Sequence, residues 1–255
     1  VWVMRNGRIT MAVRPGWEEN PLTGERRCLG VPYGNIPRLL LIWVTTECLQ
    51  SNRRHLDLGS CLSDFMRDIG LNPRHGGEGG SITRLKEQMR RLFRCTISID
   101  ETVRDGNKTR NTWMDMQIAW RGSMSWVNAE DYRFQSSHKD LEEITDKSWI
   151  ELTEPFFNMV KHSCVPLDKR ILKAIKQSPL ALDLYAWMTH RTFSVGSSSN
   201  SSFLTWQQLH DQFGANYGTA KNFKQKLKPI LRKIQSMSDY LKLEEVPGGL
   251  NIRQK

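Results

Sequence analysis

From Phe203 to Arg253 the hydrophobic and polar positions follow helical spacing twice and then alternate. Trp206, Leu209 and Phe213 recur at three- and four-residue steps behind Thr205, an N-cap residue with Gln208 placed three positions on to close a capping box. Leu204 and Leu209 occupy the positions of a hydrophobic staple, and Gly214 ends this short helix. A second helix is predicted from about Thr219 to Gln235. At about 100° per residue its Ala220, Phe223, Leu227, Ile230, Leu231 and Ile234 gather on one side. Lys221, Lys224, Gln225, Lys228 and Arg232 form a stripe outside that face. Tyr240–Arg253 then alternates around Pro247-Gly248-Gly249, a hairpin signal. Helix, turn, basic helix and hairpin describe a winged helix. Pro229 conflicts with the pattern, since a proline inside a helix costs ~3 kcal/mol or forces a kink.

The first half of the chain carries the same order of signals. Val1–Val13 alternates around Asn6-Gly7 and predicts a hairpin. In Tyr33–Gln50 a helix is expected with Pro37 in its first turn. The run LLLIWV within it fits a buried strand as well, but it continues into Thr45–Gln50 without a turn signal. Leu56–Leu71 predicts a short helix capped by Ser60, with Leu62, Phe65, Met66 and Ile69 on one face and Gly70 at its end. After the glycine-rich Arg74–Gly80, Ser81–Cys95 reads as a helix burying Ile82, Leu85, Met89, Leu92 and Phe93. Arg84, Arg90, Arg91 and Arg94 lie on its opposite face, and Lys86 adds a fifth cation. Thr96–Val103 and Thr112–Trp120 alternate around a basic turn that contains Lys108 and Arg110, and read as the wing of this first unit.

Residues 122–147 are polar and acidic and read as a connector, followed by a strand at Ser148–Leu152. Pro155 and Pro166 bracket a boundary near residue 160. Helices are expected at Lys169–Gln177 and Pro179–Phe193, the second matching the Pro37 helix, and Ser194–Ser202 reads as a solvated loop. The fold class is therefore α+β, mainly α. It comprises tandem winged-helix domains, 1–160 and 161–255, each a helical bundle with a β-hairpin wing.

Charge sharpens this division. The chain of 255 residues has a net charge of +10, unevenly placed. Residues 1–121 hold 19 basic and 13 acidic side chains, 122–164 hold 4 and 8, and 165–255 hold 14 and 6. Two basic blocks around an acidic segment fit two polyanion-binding domains. The five cysteines are scattered without a C-x-x-C pair, which predicts reduced thiols in a cytosolic protein and no metal site. The longest strongly apolar run, Leu39–Val44, is far too short to span a bilayer. Val1 in place of an initiating methionine predicts further residues upstream.

Catalytic patterns are missing from the sequence. Arg74–Ser81 precedes a helix as a phosphate cradle would, but lacks G-x-x-x-x-G-K-[ST]. The six histidines form no His-hydrophobic-His pair of the kind used by nicking nucleases, and His162 near Cys164 has no orienting carboxylate. G-x-S-x-G and H-E-x-x-H are absent too. The expectation is a non-enzyme without cofactor, whose chemistry is electrostatic: a helix in a major groove, cations on phosphates or guanine edges, and Asn222 and Gln225 suited to adenine.

The blocks YGNIPRLLLIWVTTE (Tyr33–Glu47), LGSCLSDFMRDIGL (Leu58–Leu71), SITRLKEQMRRLFRCTISI (Ser81–Ile99), SPLALDLYAWMTHR (Ser178–Arg191) and FLTWQQLHDQFG (Phe203–Gly214) resemble the RepA-type plasmid replication initiators, relatives of the two-winged-helix initiators that bind origin repeats (iterons). The resemblance implies binding to direct repeats in double-stranded origin DNA, opening of adjacent duplex and recruitment of host replication proteins (helicase, its loader, the host initiator) in a bacterial cytoplasm. It further implies a monomer–dimer equilibrium in which the first domain dimerises and dimers repress the protein's own gene. Lys221, Asn222, Lys224, Gln225 and Lys228 would read bases, with Arg232 beside them. Arg84, Lys86, Arg90 and Arg91 would hold phosphates, with Arg94, Lys108 and Arg110 contributing. Two alternatives stand beside it: a transcriptional regulator built on the same motif and binding a palindromic operator and, from a different class, an RNA-binding or assembly module.

Overall fold

The computed structural model describes residues 1–20, 22–73, 80–106, 108–125, 147–195, 202–214 and 217–254. The chain divides into two units, Val1–Ser163 and Cys164–Lys255. Of the described residues, 45% are in helix and 31% in strand, so the α/β mixture carries more sheet than "mainly α" conveys.

In the first unit, β1 (Trp2–Asn6) and β2 (Ile9–Arg14) form the N-terminal hairpin. Its register pairs Asn6 with Ile9, so the two loop residues are Gly7 and Arg8 rather than Asn6-Gly7, and Gly7 supplies the positive φ of 60°. A small ribbon follows, β3 (Trp17–Glu19) with β4 (Arg26–Cys28). Helix α1 (Asn35–Ser51) buries Ile36, Leu39, Leu40, Val44 and Cys48, which settles LLLIWV as helix. Next comes β5 (His55–Gly59), a strand the sequence reading missed, where buried Leu56 and Leu58 alternate with exposed His55 and Asp57. Helix α2 (Leu62–Asp68) is preceded by Cys61, and Ser60 does not cap it. It ends in a Schellman turn. Leu71 N–H bonds Met66 O at 2.7 Å, Gly70 N–H bonds Arg67 O at 2.9 Å, and Gly70 has φ 79°.

Helix α3 (Ser81–Arg94) leads directly into β6 (Thr96–Asp105) and β7 (Lys108–Met116), after which β8 (Ala119–Ser123) and β9 (Ser148–Leu152) close the strands. The hairpin β6–β7 joins the N-terminal hairpin in one antiparallel sheet of order β1-β2-β6-β7. A second sheet has the order β5-β9-β8. Helix α4 (Glu154–Ser163) also escaped the sequence reading. Pro155 lies in its first turn, where a missing N–H costs no helical bond, and Phe156 and Val160 reach the core beneath α1. The core joins these to Leu40, Phe65, Met66, Leu85, Met89, Ile118, Ile150 and Leu152.

Register sorts the four-stranded sheet into two faces. Trp2, Val13, Ile97 and Met116 form one apolar row, and Met4, Met11, Ile99 and Met114 form the next. Only Met116 of these is buried, Trp2 and Met114 are exposed, and so is Ile9, which follows on the same face of β2. The other face mixes Thr10, Arg14, Ser98, Asp100 and Asp115, with Arg14 bonded to Ser98 and Asp115, and the exposed Val3 and Trp113.

The second unit holds α5 (Lys169–Ile175), α6 (Pro179–Val195), β10 (Ser202–Thr205), α7 (Trp206–Phe213), α8 (Ala220–Met237), β11 (Leu241–Val246) and β12 (Gly249–Gln254). Asp168 caps α5, accepting from Arg170 N–H at 2.7 Å. The fully buried Tyr185 places its hydroxyl 2.8 Å from Asp168 N–H and 2.9 Å from the Tyr240 hydroxyl, tying α6 to the starts of α5 and β11. The sheet has the order β10-β12-β11, and β11–β12 turn through Pro247 and Gly248, whose φ is 84°. Gly249 has no room for a Cβ against the Leu204 carbonyl of β10.

Both units thus pair their strands alike: the strand that enters a short helix, β5 before α2 and β10 before α7, lies beside the last strand of a later pair, with that pair's first strand outside. In the first unit that pair is β8–β9, not β6–β7. The expected wing at Thr96–Trp120 is instead an inserted hairpin taken up by the N-terminal sheet. The expected connector 122–147 begins inside β8, at Gly122 and Ser123; its residues 126–146 lie outside those described.

Candidate nucleic-acid interface

In the second unit the N-terminus of α8 is built by two caps. Thr205 and Gln208 form the complete capping box that opens α7, with Gln208 N–H 3.1 Å from Thr205 Oγ1 and Thr205 N–H 2.9 Å from Gln208 Oε1. Thr219 opens α8 by accepting from Asn222 N–H at 3.2 Å. Phe223, fully buried, lies 5.6 Å from the His210 ring and 5.5 Å from Tyr217, which locks α8 against α7. Phe223, Leu227, Leu231 and Ile234 face inward. Helix α8 continues to Met237 through Pro229, which sits on the exposed side.

This leaves Lys221, Asn222, Gln225 and Arg232 exposed on one stripe, together with Lys226, which the sequence reading left out. Lys224 and Lys228 are on the same stripe but fold back onto the protein. Their ammonium groups lie 3.7 Å and 2.6 Å from Glu245 Oε1 on β11, and the Lys224 ammonium also sits 4.3 Å from the Trp206 ring centroid. Lys228, then Lys224 and Arg232, hold the Glu245 carboxyl below its ordinary range. No pattern in the sequence pointed to Glu245, because the contact crosses from helix to hairpin.

On α3 the cations separate into two kinds. Arg84 and Arg90 are exposed and make no ion pair with any described residue, and Lys86 is half-buried beside them. Arg91 is committed inward: it pairs with Glu87, bonds the Val31 carbonyl at 3.3 Å and lies 5.0 Å from the Tyr33 ring, with its guanidinium packed close over Gly30. Arg94 reaches the Trp17 carbonyl at 3.2 Å. Lys108 and Arg110 are exposed at the far end of β7, separated from α3 by most of β6, roughly 30 Å at ~3.3 Å per residue. The first-unit site therefore resolves into Arg84, Lys86 and Arg90 on the helix and a distant pair on the hairpin.

The described residues hold no cluster of three or more metal-ligating side chains, and no described helix is long and apolar enough to cross a membrane.

The model of the family described as plasmid encoded RepA protein matches residues 31–208, most of the chain and nearly all of the blocks that carried the resemblance. The chain belongs to that family. It is a plasmid replication protein that acts in initiation and binds DNA. A solved structure of domains 2 and 3 of RctB superposes with a TM-score of 0.54 at 12% identity, covering 100% of this chain and 90% of that one. At that identity the likeness shows the fold alone. No curated protein matches the sequence.

Proposed function

We propose that the protein initiates plasmid replication by binding direct repeats in the origin as double-stranded DNA, through two winged helices on one chain. The observation that carries this is the capped start of α8, which presents Lys221, Asn222, Gln225 and Lys226 to solvent on a helix braced by α7. A major groove admits one such helix; Asn222 and Gln225 suit adenine edges and the lysines suit phosphates or guanine. In this reading residues 161–255 read bases, and residues 1–160 anchor phosphates through Arg84, Lys86 and Arg90. Arg91 and Arg94 act indirectly, by holding the Gly30–Tyr33 and Trp17 segments against α3. Lys108 and Arg110 contact phosphates farther along the duplex.

The half-covered apolar face of β1-β2-β6-β7 supports a second proposal, that the first unit dimerises there and dimers repress. Origin opening, contact with host replication proteins and a cytoplasmic site of action complete the reading. Footprinting on the parent plasmid's origin tests it: protection of tandem repeats is expected, and protection confined to a promoter palindrome would favour a transcriptional regulator instead.

A further inference from the structure

Two of the lysines placed to meet DNA are already occupied. Lys224 and Lys228 are one helical turn apart on α8, and both point to a single oxygen, Glu245 Oε1, at 3.7 Å and 2.6 Å. That arrangement, two ammonium groups converging on one anionic oxygen, is what a DNA phosphate would find there. Lys224 has a second hold on the Trp206 ring at 4.3 Å, whereas Lys228 makes its only recorded ion pair, among the described residues, with Glu245. The lysine side chains are each 34% exposed and that of Glu245 is 41% exposed, so water screens the contact and an ion pair of this kind is easily exchanged.

We propose that Glu245 is a phosphate mimic carried on the β11–β12 hairpin: it holds Lys224 and Lys228 in the free protein and is displaced when a DNA phosphate takes its place. The inference rests on the reading of α8 as the DNA-facing helix. Because the competition is with the backbone and not with base edges, Glu245 weakens binding to every duplex by the same factor. It thereby keeps non-specific binding low while the discrimination supplied by Asn222 and Gln225 is untouched. Its neighbour Glu244 provides the contrast, being paired 3.5 Å away with Arg253 instead.

The experiment uses the full chain and two fluorescein-labelled duplexes, one with an origin repeat and one scrambled, titrated over a range of salt. Glu245→Gln keeps the shape and removes the competitor, releasing about one further cation to phosphate. At a log–log slope of about 0.9 per contact, affinity near 0.15 M salt should rise about fivefold on both duplexes, with the salt slope steeper by about one. Glu244→Gln adds the same charge to the same hairpin and should change affinity less than about twofold. In a Lys224→Gln/Lys228→Gln background, Glu245→Gln should have no further effect. Weaker binding of the repeat by Glu245→Gln would make Glu245 a positioning residue and overturn the proposal. An unchanged salt slope, or an equal effect of Glu244→Gln, would overturn it too. Failure of the wild-type protein to prefer the repeat over the scrambled duplex would count against repeat reading alone, since the Glu245 effect is read on the scrambled duplex as well.

Discussion

Single side chains in this protein divide into those that hold a turn of backbone and those left to solvent, and variants should separate the two kinds. Thr205→Ala removes one side of a closed capping box and should cost about 1 kcal/mol in urea unfolding, with little effect on non-specific DNA binding. Gln225→Ala touches no described partner and should do the reverse, lowering the preference for the repeat at unchanged stability. Asp168 gives a pH test. The hydrogen bond from Arg170 holds its carboxyl below the ordinary carboxylate range. A depressed folded-state pKa stabilises above the unfolded pKa, and that stabilisation is lost as pH falls through the folded value. The stability gap between wild type and Asp168→Asn should therefore be widest at neutral pH and close in acid. Thiols give a readout of burial. Desolvation pushes Cys95 up to about 11, and Cys28 is exposed, so at pH 8 a maleimide should label Cys28 in the native protein and Cys95 only on unfolding.

At the level of elements, local signals were legible and pairing partners were not. The cap at Thr205, the stop at Gly70 and the inward stripe of α8 all depend on residues within a few positions of one another, and the spacing shows them directly, whereas the equally local cap expected at Ser60 does not form and the cap at Thr219 emerges only from the structure. Strand β5 does not stand out in the sequence because only two apolar residues, Leu56 and Leu58, alternate before Gly59, too short a run to announce a strand beside the helical stripe that begins at Leu62. The wing was misplaced for a different reason. β6 and β7 alternate so regularly that they look like a self-contained hairpin, yet strand pairing is decided by which edge is free, and β2 offered one. The site shows the same limit: Arg91 looks like its neighbours on a helical wheel, and only Glu87, Val31 and Tyr33 around it reveal its inward role. Pro229 predicts a kink or a break, but the helix continues, since the one N–H it lacks would have gone to the Gln225 carbonyl on the exposed side, where water can serve.

For the molecule as a whole, stability and assembly lead to separate expectations. Leu85 is fully buried in the first unit's core, and Leu85→Ala should cost about 2–5 kcal/mol by chemical denaturation. Met114→Lys alters an exposed position on the apolar sheet face and should leave the fold intact while shifting the sedimenting species toward monomer. The two units share a strand-pairing order but not their sequences: Arg84, Lys86 and Arg90 stand in one where Lys221, Asn222 and Gln225 stand in the other. A chain with two unlike heads has no internal two-fold axis, however the heads are placed, so the DNA it covers has a direction. Copies that read a row of sites identically must all point the same way, which repeats in one orientation allow and palindromes forbid. Inverting a single repeat should preserve the affinity of that site for one chain while turning its occupant around.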